Sequence, residues 1–521
     1  MMKRVVLPLL ILSWTIPCLA KYSGGSGDSN DPYQIATAVD LLALADDVND
    51  YNKCFILTTD LDLDPNLPGN QVFGNAIIAS FKGVFDGAGH NISNLTVDTN
   101  GVRNDHLGLF GDVNGGEVKN LSLENVSITG WGWDIGGLAG LSSGGTISNC
   151  LSTGVVFSTS SSQFIGGLVG FNGGTLSNCF STVDVNGEFG SEYLGGLVGI
   201  NAGSIGNCFS TGDVNGGSLI GGLAGKNYGN ISNSSSTGRV TGQTSIGGLV
   251  GENYSIISNC YSTGTVRGGN GTFYLGGLVG LNQGSISNCY SAGAVTGGND
   301  LHYVGGLAGI NYYGTISKCY STGAVTSGNN PSGLGGLVGY NFSGSINSCY
   351  FLITSGPNNG LGTPLADTQM KQQSNFVGWD FNTVWRICEG TNYPKLLWQI
   401  VVSTDLICPD GVDFIDFSFL ASHWLQTSYG DVNGVELTGN GRVDLLDFAV
   451  FADWWGQTGC GDCGGADYSH DGNIDSADLV IFCDNWLATD YGDVEGAELT
   501  GDGIVDLADL LVFTRDWLEG F

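Results

Sequence analysis

The residues best suited to chemistry lie late in the chain, where oxygen-bearing side chains recur at fixed intervals. Asp467, Ser469, Asp471, Asn473, Asp475 and Asp478 occupy positions 1, 3, 5, 7, 9 and 12 of one stretch, with Gly472 at position 6. Hard oxygen donors at that spacing, a glycine for the sharp turn and a backbone carbonyl from position 7 form a set that suits Ca2+. A second copy uses Glu436, Thr438, Asn440, Arg442, Asp444 and Asp447, and a third uses Glu498, Thr500, Asp502, Ile504, Asp506 and Asp509. In these two, position 7 offers only its carbonyl, and the opening Glu predicts a weaker site. A further copy, Asp410-Gly411-Val412-Asp413 and then Asp416, is one residue short after its glycine and is expected to bind nothing. The plainer alternative is that all four loops are acidic turns that cap helices.

A second constellation lies mid-chain. Asp184 and Asp213 stand at the same offset after the Gly-Gly pairs that start at Gly166 and Gly195, and Arg239 holds the equivalent place after Gly221. Val185, Val214 and Val240 follow them and are expected to face inward, so the three charged side chains should project outward, one above another. Two carboxylates about 5 Å apart can act as acid and nucleophile in glycoside hydrolysis or can hold a cation. The simpler reading is a surface charge ladder relieved by the arginine, because no aromatic cleft is expected beside the pair. No His is followed by Glu, so the His-Glu-x-x-His pattern of zinc peptidases is absent from the sequence.

The elements that must position these groups follow from two repeats. Gly-Gly-Leu-Val/Ala-Gly begins at Gly136, Gly166, Gly195, Gly221, Gly247, Gly276, Gly305 and Gly335, with a weaker copy at Leu107, so the starts recur at nearly even intervals. Each unit also carries a Gly-x-Ile-Ser-Asn-Cys-Tyr-Ser-Thr-Gly-x-Val landmark. Its cysteines are Cys150, Cys179, Cys208, Cys260, Cys289, Cys319 and Cys349, and Ser234 substitutes in one unit. Short Ser-, Thr- and Val-rich runs between glycines favour strands over helices. One unit cannot bury its own apolar face, so units must stack about 4.8 Å apart as parallel strands. The expected fold is mainly β, a right-handed parallel β-solenoid at least ~45 Å long, with Leu, Ile and Cys inward. Asn149, Asn178, Asn207, Asn233, Asn259 and Asn288 precede the cysteine position and should sit at a bend, where Asn tolerates left-handed angles and can bond its counterpart one coil away. Stacked cysteines on parallel strands rarely reach disulfide torsions, so they are expected as free thiols.

The second repeat places Asp416, Asp447, Asp478 and Asp509 at one constant interval, and Trp424, Trp455, Trp486 and Trp517 keep the same interval. Apolar residues between them, such as Leu479, Phe482 and Trp486, fall at helical spacing on one stripe. This predicts a small all-α domain at residues 401–521. That segment holds 24 Asp and Glu against two Arg, a net −22 of the chain's −33, a field that repels nucleic acid and attracts divalent cations. Cys460, Cys463 and Cys483 lie close together there, and one disulfide among them fits a secreted protein.

Residues 1–20 read as a secretory signal, with Lys3 and Arg4 before an apolar run from Val5 to Ile16 and cleavage expected after Ala20. No later segment is apolar enough to span a membrane. The expected order is a signal at 1–20, an amino-terminal cap at 21–106, the solenoid at 107–350, a second cap at 351–400 and the acidic module at 401–521.

The Gly-Gly-Leu-Val-Gly units resemble the GLUG motif repeats of bacterial surface proteins, including adhesins. The loop, helix and twelfth-position Asp of residues 405–521 resemble type I dockerin repeats, which attach secreted proteins to cohesin scaffolds. These resemblances imply a secreted or cell-surface structural and adhesive protein, with a solenoid face for a glycan or protein and a calcium-dependent, EF-hand-like docking module for a cohesin-like partner. The alternative they imply is an accessory component of an extracellular polysaccharide-degrading assembly, or a glycoside-active β-helix of hydrolase or lyase type working at the Asp184 column.

Overall fold

The computed structural model describes residues 21–399 except 160 and 189. The signal segment, the acidic module and every predicted calcium ligand lie outside the described residues. The chain divides into two units, Met1–Pro364 and Leu365–Phe521.

The first unit is a parallel β-solenoid. Among the described residues, one sheet has twelve strands running from Tyr33–Ile35 to Ser345–Asn347, and a second has ten, from Ile78–Phe81 to Val338–Phe342. A third side is built from three short columns per rung, for example Tyr290–Ser291, Val295–Thr296 and His302–Gly305. Each strand pairs in parallel with its counterpart one coil away, as in Leu281 with Ile310 and Ile286 with Ile316. Alternation along the strands then sends Leu278, Ile286, Cys289 and Val295 into a core where each is fully buried.

The Gly-Gly pair is needed for close approach. A Cβ on Gly277 would lie 2.0 Å from the Gly306 carbonyl oxygen and 2.2 Å from the Ser291 Oγ, and one on Gly276 would lie 2.0 Å from the Val279 oxygen. At the bend before the cysteine position the left-handed backbone falls to asparagine, as expected: Asn149, Asn178, Asn207, Asn233, Asn259 and Asn288 have φ of 46° to 53°. Their amides form a ladder along the outside, with Asn178 Nδ2 donating to Asn149 Oδ1 at 3.1 Å and Asn288 Nδ2 to Asn259 Oδ1 at 3.2 Å. The repeat cysteines are free thiols, and burial pushes the Cys289 and Cys319 thiols well above their usual range, which keeps them protonated and unreactive.

A second asparagine ladder runs inside the molecule. Asn172, Asn201, Asn227, Asn253, Asn282 and Asn311 are fully buried, and each Nδ2 donates to the next Oδ1 at 2.8 Å, ending on Asn341. A buried amide without partners is costly, so the uninterrupted column is what allows this residue in the core.

The ends differ from expectation. Residues 21–106 do more than cap the solenoid, because Tyr33–Ile35, Cys54–Leu57 and Val84–Asp86 are successive rungs of the first sheet and continue into Glu117–Lys119. The cover itself is helix α1, Ala38–Asp46, which buries Leu41 and Leu44 against the first strands. Thr37 and Asp40 close its start as a reciprocal capping box, with bonds of 3.2 and 2.9 Å. At the far end, residues 353–364 stay with the solenoid, and the Asn359 Nδ2 donates to the Val338 oxygen at 2.8 Å. The described part of the second unit starts at Leu365, so the division falls after Pro364, within the segment expected as one cap. It pairs Trp385–Arg386 with Lys395–Leu396 in antiparallel fashion, buries Trp385 against Trp379 at 4.5 Å, and holds Cys388 as a disulfide.

Candidate functional site

Asp184, Asp213 and Arg239 stand on three successive rungs, facing outward beside the buried Val185, Val214 and Val240. The stacking is as the spacing predicts, and the side chains are engaged with the backbone. The Asp213 N–H donates to Asp184 Oδ1 at 2.9 Å, and the Arg239 N–H donates to Asp213 Oδ1 at 2.9 Å. Arg239 also pairs with the Asp213 carboxylate at 3.6 Å. Each carboxylate therefore ties its own rung to the next, a role that needs an acceptor and no proton transfer.

One pleat further along the same face is a cleft of about 350 Å³, lined by Phe157, Asn186, Glu188, Asn215, Gly217 and Gln243 among others. An aromatic-edged hollow therefore does accompany the carboxylate column, contrary to the expectation from sequence. Phe157 pairs with Asn186, and Asn186 with Asn215, so all three point outward from adjacent rungs. Asn215 Nδ2 donates to Asn186 Oδ1 at 3.2 Å.

A third feature covers the outside of the second sheet. Phe164, Tyr193, Tyr274 and Tyr303, each two residues before a Gly-Gly pair, have φ between 49° and 61°. Left-handed backbone costs a side-chain-bearing residue roughly 1–2 kcal/mol. Here it swings each ring over the sheet, where Phe164 meets Phe171 at 6.1 Å and Tyr303 stacks on Tyr340 at 4.7 Å. In the middle of this face the Lys226 ammonium sits 4.7 Å from the Tyr254 ring, 5.1 Å from Tyr228 and 5.5 Å from Tyr193. It pairs with Glu252 at 3.4 Å, and the Ser245 and Tyr254 hydroxyls each donate to that carboxylate at 3.0 Å. Burial alone would lower the Lys226 ammonium, but the Tyr228 hydroxyl and the Glu252 charge outweigh it and hold the group above its usual value. Burial and the same carboxylate push Tyr254 up to about 12. A cation caged by three rings and a carboxylate pins neighbouring rungs together.

Sequence reasoning found the Asp184 column and missed the cleft, the ring-covered face and the inner asparagine ladder. The ladder had a signal, an Asn six residues after the Gly-Gly starts at Gly166 through Gly335. Among the described residues no cluster of three or more His, Cys, Asp or Glu side chains could hold a metal, and no helix is long and apolar enough to cross a membrane.

The family model of the GLUG motif matches residues 164–186, 190–215, 216–241, 242–267, 271–296 and 300–326. Halomucin from Haloquadratum walsbyi is 35% identical over 116 residues, which is 20% of this chain and only 1% of that protein. Among solved structures, a candidate immunoglobulin A1 protease from Bacteroides ovatus is similar at 19% identity and a TM-score of 0.38, covering 73% of this chain and 96% of that one. An IgA1 protease structure follows at 19% identity and a TM-score of 0.28, with 61% of this chain and 21% of that one covered. The chain thus carries GLUG motif repeats on a β-solenoid.

Proposed function

We propose that this chain is a secreted or cell-surface structural and adhesive protein whose solenoid displays binding faces, held to a scaffold through its acidic module. The observation that carries the reading is the use of the Asp184 and Asp213 carboxylates as acceptors for the next rung's N–H, at 2.9 Å each. Carboxylates tied in that way serve the stacking of the rungs, and a column of repeated outward positions suits repeated weak contacts with an extended partner. The GLUG matches and the local likeness to halomucin support surface display.

The docking half of the proposal rests on the donor set of residues 436–509. Asp467, Ser469, Asp471, Asp475 and Asp478 would hold a first Ca2+, with the Asn473 carbonyl, and the two Glu-led loops would hold weaker ones. Bound Ca2+ would supply positive charge that offsets the acidic loops, and its ligands would hold the loops ahead of the helices that the spacing predicts. Calcium titration of the full chain by calorimetry tests this half, and an absence of binding that a chelator can reverse would contradict it. The regular oxygen-donor spacing also favours a second reading, recruitment to a polysaccharide-degrading assembly. Capture of the full chain by cohesin-type domains in calcium, lost in chelator, would select that reading.

A further inference from the structure

Two short coils leave a notch between longer neighbours. The steps from Gly195 to Gly221 and from Gly221 to Gly247 are shorter than those of the units on either side, Gly166 to Gly195 and Gly247 to Gly276. The pairing register locates the difference. Asn186 to Glu192 is a step of six residues and Arg267 to Phe273 another six, but the positions paired with them, Asn215 to Ser218 and Thr241 to Thr244, are steps of three. Three loop residues are therefore absent from two successive rungs while longer loops stand on either side. The hollow of about 350 Å³ lies here, at the lower end of the ~300–1,000 Å³ typical of small-molecule sites.

Its lining is chemically specific. Because Asn215 Nδ2 donates to Asn186 Oδ1, the Asn186 Nδ2 and the Asn215 Oδ1 have no partner among the described residues, and neither has the exposed side-chain amide of Gln243. The hollow thus offers amide donors and acceptors side by side, the pairing that alcohol groups satisfy in both roles. Phe157 sets a half-buried ring at one edge, and Gly216 and Gly217 leave the floor without side chains. The charge nearby is acidic: Glu188 is in the lining and Asp184 and Asp213 stand one pleat away, with Arg239 paired to Asp213. An anionic ligand is disfavoured there.

We propose that this notch binds an uncharged sugar of one or two pyranose rings, its hydroxyls on Asn186, Asn215 and Gln243 and its apolar C–H face on Phe157. The site rests on the display reading given above and supplies that reading with a ligand class. Asn186 and Asn215 project from paired strands and already bond each other, so these two amides need little ordering on binding.

Saturation-transfer NMR and calorimetry on the full chain test the assignment, with glucose, galactose, mannose, N-acetylglucosamine and their 1,4-linked disaccharides as probes and glucuronate as the charged control. The expected result is binding of at least one neutral sugar, weakened about tenfold by Phe157→Ala and by Gln243→Ala, the scale of one lost contact, and unchanged by Thr326→Ala further along the same face. Gln243 is exposed, so its variant keeps the fold, and an unaltered melting curve confirms that. No binding by any neutral sugar, equal binding of glucuronate, or binding that survives both cleft variants overturns the assignment. Adhesion of the full chain to immobilised glycan that persists in both variants leaves the display reading standing without this site. Sugar cleavage in the same tubes sinks the display reading whether or not the notch binds.

Discussion

The amino-terminal rungs and the repeat rungs follow one backbone path but fill it differently. In the first, Phe55, Phe81, Phe85 and Phe110 interlock with ring centroids 5.5 to 6.3 Å apart, tilted or edge to face. In the second, the rungs repeat Leu, Ile, Cys and Val with few changes, such as Ser234 for Cys and Leu176 for Ile, and a buried asparagine bonds its neighbour at a constant 2.8 Å. The first region is held by shape, so its sequence has no period. The second is held by ladders, which work only if every rung supplies the same group at the same place, so its period is visible.

Mutations that remove shape or interrupt a ladder test this contrast. The largest effect is expected from Phe85→Ala, a loss of about 3–5 kcal/mol in a urea melt followed by circular dichroism, with the amino-terminal rungs melting first. Gly277→Ala comes next at about 3 kcal/mol, because the new methyl meets the Gly306 carbonyl and neither backbone can retreat. A melt within ~0.5 kcal/mol of the parent would mean the Gly-Gly pair is dispensable. Asn227→Ala orphans buried partners on both sides and should lose about 2 kcal/mol. Asn178→Ala in the outer ladder removes exposed bonds and adds a left-handed alanine, for about 1 kcal/mol. Equal losses from the two asparagines would erase the distinction between inner and outer ladders.

The smallest effect concerns pH. His106 Nδ1 lies 2.9 Å from Asp134 Oδ2 at the junction of the two regions. The hydrogen bond to Asp134 raises the His106 pKa above 6.5, and burial raises that of Asp134 although His106 stands beside it. Both groups hold protons more tightly folded than unfolded. The His106 contribution is therefore complete below its unfolded pKa and is lost as pH rises through its folded one, while that of Asp134 is complete only below the ordinary carboxylate pKa and is lost as pH rises through its raised one. A shallow fall in melting temperature between about pH 6 and pH 8 is expected, and Asp134→Asn should flatten it.

Much of the solenoid was legible in the sequence because stacking turns geometry into spacing. Asn149 and its counterparts announced both their bend and their ladder, and Leu278, Ile286 and Cys289 announced their inward face. The amino-terminal rungs were not legible, because Phe55 and Phe85 are rung positions without a repeating neighbour to mark them. The inner asparagines recur six residues after Gly-Gly, yet a polar residue reads as exposed until its ladder is seen. The two shortened steps after Gly195 and Gly221 were plain, but the notch they cut depends on where along the rung the residues are missing, and only the pairing of Asn186 with Asn215 places that.

The central claim is that this solenoid binds and does not cleave. The most direct measurement is release of new reducing ends from a panel of neutral and acidic polysaccharides by the full chain, beside its Asp213→Asn variant. The account predicts no release above the no-protein control from either. Release by the parent chain that disappears in Asp213→Asn would contradict it and make the Asp184 column an active site.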